Sequence, residues 1–227
     1  MFDNQINQLG NQFGNKLANR TAGRKFSRRG RTAGVAAVVG AALTALVLGT
    51  QPAAAQGFGA GNLMQREDFF QQGLAPVSAK VDLTGKQALS ACSGEETMRA
   101  FTKGKAGAYA DVTWTFDTKD TLLTESVADT SADASAASFV KQLNKLVRGC
   151  QQEPDGHWYY GKGHALTVRG GMGSWYPAFN GDGKVAGGVA VIRSGHRFGI
   201  VELSGQPSDD PGYVEGIAAA AINRLAD

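Results

Sequence analysis

Few side chains in this 227-residue chain are equipped for chemistry: two cysteines, three histidines and a handful of strand aromatics. His157 and His164, with Glu153 or Asp155 nearby, form the one group that zinc chemistry would consider, but their spacing matches no compact motif, so no metal is expected. Ser174 stands in Gly173-Ser174-Trp175, without the second glycine of a nucleophile elbow or a helix behind it. Gly85-Lys86 lacks the upstream glycine of a phosphate loop, and Gln87 stands where magnesium needs a hydroxyl. Asn180-Gly181-Asp182-Gly183 begins like a calcium loop but lacks the later ligands, and reads as a turn. No catalytic residue and no cofactor is expected.

Aromatic and guanidinium groups are the richer population. Trp158, Tyr159, Tyr160, Trp175 and Tyr176 fall in two glycine-rich segments, where large rings can line a groove instead of a core. Arg169, Arg193 and Arg197 could offer forked donors to an acidic or carbohydrate ligand. The candidate ligand set is therefore Trp158, Tyr160, Arg169, Trp175, Tyr176, Arg193 and Arg197.

The region that would place these groups outside the cytoplasm is the first quarter of the chain. Arg20, Arg24, Lys25, Arg28, Arg29 and Arg31 run into the uncharged stretch Ala33 to Gly49, and Pro52-Ala53-Ala54-Ala55 follows. This is the layout of an export signal, with Ala53 and Ala55 as the small-x-small cleavage pattern. Residues 32–50 approach the ~20 residues of a membrane span, so a retained single-pass anchor with the domain outside is the alternative. The apolar stretch is mostly Ala, Gly and Val, which favours cleavage. Arg28-Arg29 suggests twin-arginine export, yet Gly30-Arg31-Thr32 lacks the apolar residues that should follow. Phe2, Ile6, Leu9, Phe13 and Leu17 form a helical stripe that Gly10 and Gly14 weaken, and the stretch reads as a tolerated extension.

The expected organisation is a leader over 1–55, a flexible linker over 56–64 and one exported domain over 65–227. Of the chain's 23 basic and 20 acidic residues the leader holds seven and one, leaving 16 and 19 in the rest. That domain is mildly acidic, so no nucleic-acid partner is expected. In an oxidising compartment the even cysteine count reads first as a Cys92–Cys150 disulfide. The loop it closes, about 59 residues, would make it worth roughly 4 kcal/mol in the chain-entropy account. A reactive thiol or a two-cysteine metal site is the alternative.

The elements that must position the candidates follow from periodicity. Short helices are expected over 64–72, with Phe69 and Phe70 on the domain, and over 95–101. Alternation predicts strands over 108–116, 122–127, 157–160, 164–168, 174–179, 185–193 and 197–203, the last two joined at Ser194-Gly195-His196. Thr130 or Ser131 should cap a helix whose Phe139, Val140, Leu143, Leu146, Val147 and Cys150 share one face. A terminal helix from about Pro211 buries Val214, Ile217, Ala218, Ala221, Ile222 and Leu225. The fold class expected is α+β: an antiparallel sheet with helices packed on it and one disulfide.

This order resembles a known family. Ala91-Cys92 after a short helix, the strand Thr113-Trp114-Thr115-Phe116, a helix from Phe139 to Cys150, the strand Val189-Ala190-Val191-Ile192-Arg193 and a terminal helix from Ile217 to Leu225 resemble the PknH-like extracellular sensor domain. That family occurs on bacterial receptor serine/threonine kinases and as exported proteins or lipoproteins without a kinase. The resemblance covers about residues 65–227. It implies an α+β domain with a cleft, stabilised by disulfides, that binds an envelope ligand and performs no catalysis. Members carry a second disulfide, which two cysteines cannot supply, and neither a kinase domain nor a lipid-attachment cysteine is expected here. The functional expectation is an exported, non-catalytic ligand-binding or sensor-like domain, with an unknown envelope ligand or exported protein as partner and membrane contact only through residues 32–50 if uncleaved. The rival expectations are a secreted hydrolase using His157, His164 or Ser174, and an inhibitor that docks through the Ser194 to Arg197 hairpin.

Overall fold

Val185–Ser194 and Arg197–Ser204 alternate so strictly that adjacent residues must enter different cores, and the architecture follows from that. Val189, Val191, Phe198 and Ile200 enter one apolar cluster, while Ala190, Ile192, Val201 and Leu203 enter another on the opposite face. In the computed structural model, which describes residues 57–90, 96–118, 120–205 and 208–227, each face of the sheet carries its own helix.

The strands are β1 (Pro76–Asp82), β2 (Ala108–Phe116), β3 (Leu122–Asp129), β4 (Tyr159–Tyr160), β5 (His164–Val168), β6 (Gly171–Phe179), β7 (Val185–Ser194) and β8 (Arg197–Ser204). All pairings are antiparallel, in the order β1-β2-β3-β8-β7-β6-β4, with β5 also paired to β6. Helix α1 (Met98–Phe101) is one turn; α2 (Asp133–Gly149) and α3 (Tyr213–Ala226) cover the two faces. On the α2 face Leu143 and Val147 are buried, and Phe139 stacks on Phe198 at 5.1 Å between centroids. On the α3 face Val214, Ile217, Ala218, Ala221, Ile222 and Leu225 are all buried, as the periodicity predicts. Each fully buried Leu or Ile contributes about 1.5–3 kcal/mol, so each helix is held by its stripe more than by its propensity.

A 3₁₀ turn, Arg66–Gln72, stands in place of the expected helix over 64–72. It buries Phe69 edge-on against Trp114 (5.2 Å) and Phe116 (5.1 Å), whereas Phe70 is 59% exposed. The β7–β8 connection is a two-residue turn in which Gly195 has φ 54°, a conformation that favours glycine.

Several expectations need correction. Strand β1 is unforeseen, because five successive residues are exposed and leave no alternation to read. Neither Thr130 nor Ser131 caps α2; Ala132 occupies that position, and the Thr130 hydroxyl donates to the carbonyls of His196 (2.7 Å) and Ala132 (3.0 Å). The fold class is corrected on its disulfide: no bridge is found among the described residues. Cys92 falls in residues 91–95, outside them, so the bridge is no part of the described fold; Cys150 packs half-buried on the α2-side core. The leader, with Ala53, Ala55 and residues 32–50, also lies outside the described residues. Among the described residues no helix is long and apolar enough to cross a membrane.

Candidate functional site

Helix α2 lies over β7 and β8, and the chain leaves it through the turn Cys150–Gln152 to form β4 beside the far end of β6. Beside β4 a cleft of about 410 Å3 opens, lined by Ala88, Ser90, Thr124, Trp158, Ala186, Glu202, Leu203 and Ser204. Its acid is placed by register: Glu202 pairs with Thr124 of β3 and with Val189 of β7. Its aromatic wall is placed by packing, since the Trp158 ring meets the buried Tyr160 ring edge-on at 4.6 Å.

The Tyr160 hydroxyl donates to Glu202 Oε1. Burial first, and then the charge of Glu202 and its hydrogen bond, push the phenol far above its ordinary range, so the hydroxyl stays protonated and remains the donor. A carboxylate held in place, the hydroxyls of Ser90, Thr124 and Ser204 and a half-exposed indole together suit a ligand with an apolar body and a hydroxyl or ammonium group.

The seven sequence-selected residues do not share one groove. Trp158 and Tyr160 belong to this cleft region. Tyr176 is buried on the same sheet face and its hydroxyl donates to Asn144 Oδ1 of α2 at 2.7 Å, while Trp175, its neighbour in sequence, is buried in the opposite core. The arginines gather at the other end of the sheet, around the β7–β8 and β5–β6 turns. Arg197 donates to Leu225 O at 2.9 Å and lies 3.4 Å from Asp129; Arg193 donates to Gly195 O at 3.0 Å and lies 4.0 Å from Asp133; Arg169 is exposed at its turn. The cleft residue that the sequence reading missed is Glu202, whose only signal is one acid within the apolar run Ile200 to Leu203.

The groups considered for hydrolysis or metal binding are separated. His157 is exposed, 3.9 Å from Glu153; His164 stacks on Trp175 at 4.3 Å; His196 lies in the β7–β8 turn, 3.5 Å from Asp129. Ser174 is the neighbour of Trp175 along β6 and so points to the other face from His164. Among the described residues no three His, Cys, Asp or Glu side chains converge as a metal site.

Two acids lie inside the strands. Glu125 faces the α3 side, where its Oε2 accepts the Met64 amide at 2.7 Å, and the Met64 carbonyl accepts Trp114 Nε1 at 3.2 Å. Burial pushes the Glu125 carboxyl up to about 8, against the opposing Met64 amide. Asp111, one residue from Val112 in the paired register and on the other face, is pushed to about 6 by burial, opposed by Ser126 and by the Gln87 and Gly85 amides.

No family model matches the sequence. No curated protein matches it. Among solved structures the chain is similar to the extracellular domain of PknH from Mycobacterium tuberculosis, with a TM-score of 0.49 and 12% identity over 72% of this chain and 92% of that one.

Proposed function

We propose that this protein is an exported, non-catalytic ligand-binding domain of the cell envelope, sensor-like in kind, whose ligand enters the cleft between Trp158 and Glu202. The observation that carries the reading is the pairing of a half-exposed indole with a carboxylate that a buried tyrosine holds in place. Pre-set polar groups on a strand, beside an aromatic wall, favour recognition because little side-chain entropy remains to be lost on binding. The basic-then-apolar leader ending in Ala53-Ala54-Ala55 supports export. The dispersal of His157, His164 and Ser174 favours binding over hydrolysis.

The test is native mass spectrometry of the protein recovered separately from medium and membrane, followed by fluorescence titration. Trp114 is 9% and Trp175 6% exposed, so Trp158 is the indole whose emission a cleft ligand should change. A species beginning at Gln56 that carries extra native mass, lost together with the emission change in Trp158→Phe and Glu202→Gln, is the expected result. A full-length cytoplasmic species, or bound mass that persists in both variants, would sink the proposal.

A further inference from the structure

Among the described residues strand β1 is the outermost strand of the sheet, paired on one side only. Its other side offers a row of backbone donors and acceptors, with exposed Val77 (65%) and Val81 (47%) along it and exposed Leu83 (55%) in the bend just past its end. Proteins usually blunt such an edge with proline or a bulge. Here Pro76 and the register shift before Ser78 blunt only the first end, and Ser78 to Asp82 keep regular pairing with β2.

We propose that this edge pairs antiparallel with β1 of a second copy, about a two-fold axis through Val81. The choice of occupant comes from charge. A two-fold axis perpendicular to a sheet keeps each side chain on its own face, so only registers that centre on a residue are possible. Centring on Lys80 sets Lys80 against Lys80. Centring on Ala79 sets Lys80 against Ser78 and Asp82 against Pro76, at the bulge. Centring on Val81 sets Lys80 opposite Asp82 twice and Val81 opposite Val81, which gives two ion pairs around an apolar contact at the axis. Asp82 is ready for this role, because hydrogen bonds from Thr84 and then the charges of Lys80 and Lys86 hold its carboxyl below the usual range.

Sedimentation velocity on the purified protein tests this, from about 1 µM to about 500 µM, a span that covers weak association of roughly −8 to −5 kcal/mol. Expected is a concentration-dependent dimer whose Kd rises about tenfold in Lys80→Asp, with the double variant Lys80→Asp/Asp82→Lys returning to within about threefold of the original, the pairs now reversed. Asp82 also accepts the Thr84 amide at 2.6 Å, so melting temperatures are recorded for every variant. If Asp82→Lys unfolds the turn, Val81→Lys replaces it as the second arm, setting two ammonium groups at the axis, and must abolish the dimer. A monomer throughout, a dimer indifferent to Lys80→Asp, or a well-folded double variant without recovery overturns the proposal.

Discussion

Replacing Glu125 by Gln should make the protein more stable in mild base and leave it nearly unchanged in mild acid. The carboxyl is fully buried, its folded value is about 8 against an ordinary 4.5, and burial is the first cause. Between those values the folded state holds more protons than the unfolded one, so stability falls as pH rises through the window and levels off above about 8. At about 1.4 kcal/mol per pH unit, the cost at the plateau is about 5 kcal/mol. Glutamine resembles the neutral acid in shape and still offers an oxygen to the Met64 amide, so it keeps the contact and removes the ionisation. Urea unfolding at pH 4.5, 6.5 and 8.5 should therefore show a gain of about 3–5 kcal/mol at pH 8.5 and less than about 1 kcal/mol at pH 4.5. A residual fall in stability between 3.8 and about 6 should survive in the variant, because Asp111 titrates there. An equal effect at every pH, or a loss at pH 8.5, would refute the argument by showing that Glu125 is ionised and well solvated in the folded protein.

Two further substitutions probe how the cleft and the N-terminal segment are held. Tyr160→Phe removes the donor to Glu202 without changing the ring, and should cost about 1–3 kcal/mol in urea unfolding at pH 7; an unchanged midpoint would mean that the hydrogen bond contributes nothing. Arg224 of α3 lies 2.8 Å from Asp68 and 2.5 Å from Glu67, so Arg224→Met should cost about 1 kcal/mol. Hydrogen exchange should quicken at amides of residues 66–72 but not in the middle of α2, and uniform quickening would show that the pair stabilises the whole domain instead.

Legibility in the sequence followed the physical contrast between the two sides of each element. Strands β2 and β5 were readable to the residue, and the buried face of α3 was complete, because alternation and helical spacing directly record which side meets a core. Edge strand β1 left no such record. The helix-cap expectation failed for a tertiary reason: the Thr130 hydroxyl is taken by His196, a residue of the distant hairpin. The candidate aromatic and arginine residues lie in different places because alternation gives parity within one strand and nothing about neighbouring strands or sheet ends. Trp175 and Tyr176 thus enter different cores, and the arginines collect far from Trp158. Glu202 was hidden because its role depends on Tyr160 arriving from another strand.

The middle of the sheet also dictates the order in which the chain can fold. Strands β3 and β8 pair side by side, yet contacts between them span 68 to 82 residues of sequence. Closing so long a loop costs entropy before any pairing repays it, so folding should be slow for a domain of this size. Until residues 197–227 are available, the early hairpin of β2 and β3 shows Val112, Trp114, Leu123 and Val127 to solvent with neither β8 nor α3 to cover them. A chain delivered N-terminus first across a membrane would spend its whole transit in that incomplete state. Nascent or C-terminally truncated forms should therefore depend on chaperones and be open to proteases, while the finished domain, closed by its last strand and helix, should resist both.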